Sequence, residues 1–301
     1  MTKITELPST NRFLRSGRSP RALRLRLAVA GALGLAACNT SEIGPSGPGG
    51  DGKTAVFLTD APFPFDLITR VDIHISEIGL SPQADTSQGP PGWITVASPD
   101  RVFNLLDLQN GATALLGEAD VPPGQYRAVR VTFDPARSSM TDTDGGHPAI
   151  NWQAKGDTPT LFGLVEEAMA IDENGEDVVI DFDVGRSFLP DGGDGFIFIP
   201  FLRAITRAGS GAIAGTLVQS EGGVPIPLAA VSIHYAFDSA TSVGPLVATS
   251  RADASGAFKA SFLRPGRYMI VPEDLQRDVV GPSRSVEVKA GETTQVGEFR
   301  F

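Results

Sequence analysis

Turn punctuation constrains this chain more than any other feature. Thirty-four glycines and 23 prolines among 301 residues divide the apolar sequence into short runs. Glycine supplies the positive-φ corners of tight turns, and proline ends helices and cannot sit in central strands. Short strands joined by turns fit this pattern, and long helices do not. Inside the runs the period is two. Val71, Ile73 and Ile75 alternate with Arg70, Asp72, His74 and Ser76. Tyr126, Ala128, Arg130 and Thr132 alternate with Arg127, Val129, Val131 and Phe133. That period places successive side chains on opposite faces of a strand. Residues 148–152, 160–170, 177–184 and 196–205 read as further strands between Asp/Gly turns. Residues 103–118 read as a short strand, a turn at Asn110-Gly111 and then one or two helical turns. The expected fold class is mainly all-β, with two β-sandwich domains.

Before these strands lies a segment of a different kind. Residues 12–26 are rich in arginine and free of acids, and residues 27–37, LAVAGALGLAA, are apolar and small. This is the layout of a secretory signal, with a basic region, an apolar region and a small-residue cleavage site. The apolar run is too short for a permanent span, which takes about 20 residues. Cys38 follows directly and is the sole cysteine, which excludes an internal disulfide and any cysteine metal site. Leu35-Ala36-Ala37-Cys38 resembles the lipobox of bacterial lipoproteins. That resemblance implies cleavage before Cys38, acylation of its sulfur and its amine (palmitate-type chains), and a membrane as partner. Asn39, rather than Asp, implies the outer membrane by similarity to enterobacterial sorting rules. Residues 39–53, NTSEIGPSGPGGDGK, hold almost nothing to bury and read as a flexible tether. The expected organisation is a signal peptide at 1–37, a lipidated cysteine and tether at 38–53, a β domain at 54–207 and a second at 211–301.

Charge excludes one class of partner. The first 37 residues hold seven basic groups and one acidic group, so the segment from Cys38 onward holds 18 basic and 34 acidic residues and carries about −16. A body this acidic repels phosphate backbones, so no nucleic-acid partner is expected.

Two further resemblances follow from particular residues. LTDAPFPFDLITRVDIHISEIGL, WITV, NLLDLQNG and PPGQYRAVRV are similar to the bacterial domain of unknown function 4382 family. Leu58-Thr59-Asp60-Ala61-Pro62, Leu105-Leu106-Asp107-Leu108-Gln109-Asn110-Gly111 and Pro123-Gly124 before Tyr126 carry most of the likeness. The family has no assigned activity, so the resemblance implies architecture and location only. Residues 211–301, with turns at Ser255-Gly256 and Pro265-Gly266 and core candidates Phe258, Phe262, Leu263, Tyr268 and Ile270, read as a meander of short strands. Their order resembles carboxypeptidase-regulatory-like modules, which implies a small transthyretin-like or starch-binding-like sandwich. Pro-Gly-x-Tyr occurs in both regions, ending at Tyr126 and at Tyr268.

Catalytic signatures of two kinds are missing from the sequence: no HExxH and no GxSxG elbow occurs. The three histidines are His74, His147 and His234, two of them within alternating strands. No catalytic residue and no enzyme activity are expected. Three acidic turns have the oxygen-rich composition that suits weak Ca²⁺ binding, through Asp142 and Asp144, Asp172 and Asp177, and Asp191 and Asp194. None matches an EF-hand loop, and Asp/Gly turn chemistry accounts for them as well. No other cofactor is expected. The leading expectation is a membrane-anchored envelope lipoprotein with a structural or interaction role. A carbohydrate-binding surface lipoprotein is the alternative. An uncharacterised hydrolase is a third reading, to be raised by a histidine with an acid partner.

Overall fold

The computed structural model describes residues 53–61, 67–84, 92–152, 159–236 and 243–301. The leader, Leu35, Ala36, Ala37, Cys38 and the tether up to residue 52 lie outside the described residues. The chain divides into Met1–Gly44 and Pro45–Phe301, and the second unit carries every described element. Among the described residues 61% are in strands and 4% in helices. Among the described residues no helix is long and apolar enough to cross a membrane.

Pro45–Phe301 contains two hydrophobic cores, and we call the parts around them the first and second lobes. In chain order the first lobe holds β1 (Thr54–Thr59), β2 (Ile68–Ser81), β3 (Ile94–Ala97), β4 (Arg101–Asn104), a 3₁₀ turn (Leu105–Leu108), β5 (Ala114–Ala119), β6 (Gly124–Asp142), β7 (Ile150–Asn151), β8 (Thr160–Ile171), β9 (Val178–Phe182), the single-turn helix α1 (Val184–Ser187), β10 (Phe188–Pro190), β11 (Phe196–Phe198) and β12 (Leu202–Thr206). One sheet runs β12-β9-β1-β5, with β1 and β9 parallel. A second runs β3-β2-β6-β8, with β4 also on β2, and a third runs β10-β11-β7. Their inward faces share one core. At its centre Phe198 packs against Phe188, Trp152 and Phe133, with ring centroids 4.9, 5.1 and 5.5 Å away.

The second lobe holds β13 (Gly211–Val218), β14 (Ala230–Ala236), β15 (Val243–Arg251), β16 (Ala257–Leu263), β17 (Gly266–Asp274), β18 (Val279–Val280), β19 (Arg284–Val288) and β20 (Thr293–Arg300). One sheet is β16-β13-β20. The other is β15-β14-β17, with β18 and β19 paired to β17. The simple meander expected from the turns is not what forms. The first strand, β13, lies parallel to the last, β20, a pairing of distant segments that no local turn signal encodes.

Alternation on β2 holds through Val71, Ile73 and Ile75, then shifts to Ile78 and Leu80, all fully buried. A register shift between Ile75 and Glu77 against β6 causes the change of phase, since one extra residue moves every later side chain to the other face. Residues 103–118 differ from the sequence reading in order. The helical turn comes first, at Leu105–Leu108, and Ala114–Ala119 forms a strand beside β1. Leu105 and Leu108 are buried there, and tertiary burial outweighs the local pattern. The segment 196–205 is two strands, with Pro200 in the gap between them.

Candidate ligand-binding cleft

The site is built outward from β9. All five of its residues are buried, including Asp181. A carboxylate there needs a partner. The register of β12 places Arg203 opposite it, and Arg203 Nε donates to Asp181 Oδ2 at 3.0 Å while Nη2 donates to the same oxygen. Immediately after β9, Asp183 caps α1: its Oδ1 accepts from Arg186 N at 2.9 Å, which satisfies one of the free amides at a helix start. Asp60, at the end of β1, accepts from Val184 N at 3.0 Å across 124 residues. Three buried carboxylates therefore meet where β1, β9 and α1 converge.

Burial raises the Asp60 pKa well above the ordinary carboxylate range, and the negative charges of Asp181 and Asp183 act in the same direction. Burial, followed by the charge of Asp181, lifts Asp183 to about 6. Desolvation lowers the Arg203 pKa, but Asp181 outweighs it and the guanidinium stays charged.

In front of this cluster, between the two lobes, lies a cleft of about 420 Å³. Pockets for small ligands span about 300–1,000 Å³. Its first-lobe wall includes Arg186, Phe201 and Arg203, and its second-lobe wall includes Tyr235, Phe262 and Arg264. Arg186 lies over the Phe201 ring, 3.3 Å from its centroid, and donates to Leu246 O in the second lobe at 2.8 Å. Tyr235 is partly exposed and stacks on buried Tyr268 at 5.6 Å. A recess of about 20 Å³ lies against Asp60, Asp181, Arg203 and Ser261.

Phe262 corrects the sequence reading. Phe258, Leu263, Tyr268 and Ile270 are buried as expected, but Phe262 is only partly buried and lines the cleft. Its φ is +56°, a conformation that costs a bulky residue on the order of 1–3 kcal/mol. This corner puts Leu263 into the core in its place.

Among the amphipathic aromatics, Tyr126 and Tyr268 are core residues, and Trp152 packs partly buried against the first core. The two Pro-Gly-x-Tyr segments adopt one solution. Tyr126 donates to Pro122 O at 2.7 Å, and Tyr268 donates to Arg264 O at 2.9 Å. Each hydroxyl closes the corner that leads into its own strand, in the manner of a tyrosine corner.

The acidic turns are held by their own carboxylates. Asp142 Oδ1 accepts from Asp144 N and Gly146 N at 2.9 and 2.6 Å. Asp172 Oδ1 accepts from Asn174 N at 2.8 Å, and Asp191 Oδ1 accepts from Gly193 N and Gly195 N at 2.8 and 3.2 Å. Asp144 and Asp194 are exposed. Asp177 is buried and pairs with Arg207 at 3.2 Å. Among the described residues no group of three or more His, Cys, Asp or Glu side chains is placed to hold a metal ion.

One histidine has an acid partner: His74 Nε2 lies 3.4 Å from Asp100 Oδ1. The imidazole is 3% exposed and its Nδ1 has no hydrogen-bond partner. Nearby Ser138 donates its hydroxyl to Asp134 O at 2.6 Å, so the nucleophile–base hydrogen bond of a triad is not formed there. His147 and His234 bond the carbonyls of Met140 and Gly244 at 3.1 and 2.9 Å.

No curated protein matches the chain. Among solved structures, the Bacillus anthracis TIE protein overlaps 83% of this chain and 34% of its own length, at 14% identity and a TM-score of 0.25. The chain thus spans about a third of that protein's length. The shaft pilin spaA from Lactobacillus rhamnosus GG overlaps 82% of this chain and 96% of its own, at 12% identity and a TM-score of 0.24. GBS52, the minor pilin of Streptococcus agalactiae, overlaps 82% and 95%, at 10% identity and a TM-score of 0.22. Overlaps this slight do not define a shared fold. The match to a family model is direct: residues 51–200, which span most of the first lobe, match the family described as Domain of unknown function (DUF4382).

Proposed function

We propose that this chain is a lipid-anchored envelope protein with a non-catalytic structural or interaction role, held on the outer membrane by acyl chains on Cys38. The observation that carries the anchor is the position of the sole cysteine, directly after an 11-residue apolar run and before a Gly/Pro/Ser tether. One acyl chain binds a membrane only marginally, so stable anchoring follows from several, each buried CH₂ adding about 0.8 kcal/mol. The non-catalytic role is supported by the polar side chains themselves. The carboxylates singled out in the turns cap their own loops, and the one histidine–acid pair joins a buried imidazole to an exposed carboxylate without a bonded nucleophile. The 54–207 and 211–301 segments then act as two recognition or spacer domains on one tether.

The test is direct. Mass spectrometry of the native protein is expected to find an acylated Cys38 as the first residue. Cys38→Ser is expected to move the protein from the detergent phase to the aqueous phase in phase partitioning. A native chain that begins elsewhere, or that partitions as the serine variant does, overturns the anchor.

A further inference from the structure

Two of the sequence motifs meet at one small space. Thr59 and Asp60, from the run at the end of β1, and Asn110 and Gly111, from the turn before β5, line the recess of about 20 Å³ together with Asp181 of β9 and Ser261 of the second lobe. The turn is pinned to β1: Thr59 Oγ1 donates to Leu108 O and Ala112 O at 3.1 and 2.8 Å, and Asp60 N donates to Leu108 O at 3.1 Å. Three of the lining residues each keep one buried oxygen that no described group bonds: Asp60 Oδ2, Asp181 Oδ1 and Ser261 Oγ. The bonds already made account for which carboxylate oxygens are left. Val184 N donates to Asp60 Oδ1, and both Arg203 donors fall on Asp181 Oδ2. Gly111 makes room for the serine, since a Cβ there would lie 2.4 Å from Ser261 Oγ.

Size and chemistry select the occupant. A buried oxygen without a partner is costly. An internal water relieves that cost where it finds about 10–15 Å³ of space and two to four polar partners. An anion in this recess would meet two carboxylates. A metal ion would meet Arg203 and Lys259, which also line the space, and would require an ionised Asp60, whose pKa burial holds well above the ordinary range. Water suits Asp60 in either form, donating to a carboxylate or accepting from an acid, and it also accepts from a serine hydroxyl. We infer that the recess binds one ordered water molecule, bonded to Asp60 Oδ2, Asp181 Oδ1 and Ser261 Oγ, which bridges the two lobes. The second lobe thereby completes the hydrogen bonding of two buried first-lobe carboxylates, beside the direct bond from Arg186 to Leu246 O. This goes beyond the anchoring role and is independent of it.

Two measurements on the full chain in detergent test this. The first is a crystal structure that resolves ordered solvent, grown with calcium present. A single peak within about 3.2 Å of all three oxygens is expected, with no anomalous signal. The second is the urea midpoint of Ser261→Ala, and here the sign decides. Deleting a buried hydroxyl that bonds nothing raises stability, whereas deleting one that bonds a held water lowers it. A lower midpoint than that of the wild type is expected. Gly111→Ala, whose methyl group displaces the Ser261 hydroxyl, is expected to lose the solvent peak. A dry recess with Asp60 bonded by Gln109 instead would overturn the inference. So would a peak with calcium's anomalous signal and oxygen distances of about 2.3–2.6 Å, or a Ser261→Ala midpoint equal to or above that of the wild type. None of these outcomes bears on Cys38, which the partitioning experiment tests separately.

Discussion

At the scale of single residues, two hydroxyls and one carboxylate carry distinct predictions. Tyr126 and Tyr268 each donate one bond to a carbonyl four residues upstream, one in each lobe. Tyr126→Phe and Tyr268→Phe are each expected to cost about 1 kcal/mol in chemical denaturation. The double variant should cost their sum, because the two sites share no partner. Asp183 behaves differently. Its pKa is about 6 in the folded chain, against an ordinary 3.8, so the folded state binds a proton more readily than the unfolded one. This group therefore costs stability at pH 7, by on the order of 3 kcal/mol at most, and the cost is relieved as pH falls through about 6 toward 4. Asp60, raised by burial, acts in the same direction. Asp183→Asn keeps an oxygen to cap α1, and its melting temperature should rise less than that of the wild type between pH 7 and pH 5. A parallel rise in both proteins would contradict the assignment. The sequence marks Asp60 by its place beside a turn, but gives no sign that Asp181 and Asp183 join it. Their meeting depends on the parallel pairing of β1 and β9.

At the scale of elements, turns and bulges decide which face is buried. Gly256 ends the turn between β15 and β16 with φ +77°, and a Cβ there would lie 2.4 Å from Leu217 O and 3.3 Å from Ile226 N. Gly145 has a similar φ, +80°, with open space around it. Gly145→Ala is expected to cost only the backbone penalty of about 1 kcal/mol, and Gly256→Ala roughly 3 kcal/mol or more, since rigid backbone must also move. Urea midpoints of the two variants check the difference. Alternation made β2 and β6 readable from sequence, and Ser255-Gly256 announced its turn. The phase changes were not readable, neither the bulge after Ile75 nor the corner at Phe262. A bulge is fixed by the register of the facing strand, and that strand is far away in sequence.

At the scale of the whole molecule, Arg207 joins the two cores. It pairs with buried Asp177 at 3.2 Å and lies over Phe57 of the first lobe and Phe262 of the second, 4.4 and 5.7 Å from their centroids. A second link runs from Ser250 Oγ to Asn110 Oδ1 at 3.3 Å. Arg207→Ala removes a cation from a buried carboxylate and two ring contacts at once, with an expected cost of about 3 kcal/mol. Calorimetry should show the lobes of this variant melting in two separated steps, where the wild type melts closer to one. A single unchanged transition would mean that Arg207 does not couple them.

By itself the sequence determined the β class, several strand faces, the turn positions and the pair of Pro-Gly-x-Tyr corners, because each depends on residues within a few positions of one another. It also carries the case for the anchor, which rests on Cys38 and the run before it. Tertiary structure alone decided the parallel pairings of β1 with β9 and of β13 with β20, the meeting of Asp60, Asp181 and Asp183, and the exposure of Phe262 in a cleft with three arginines. Those features join segments up to 124 residues apart, and no local period or spacing encodes a contact made only when two sheets close on each other.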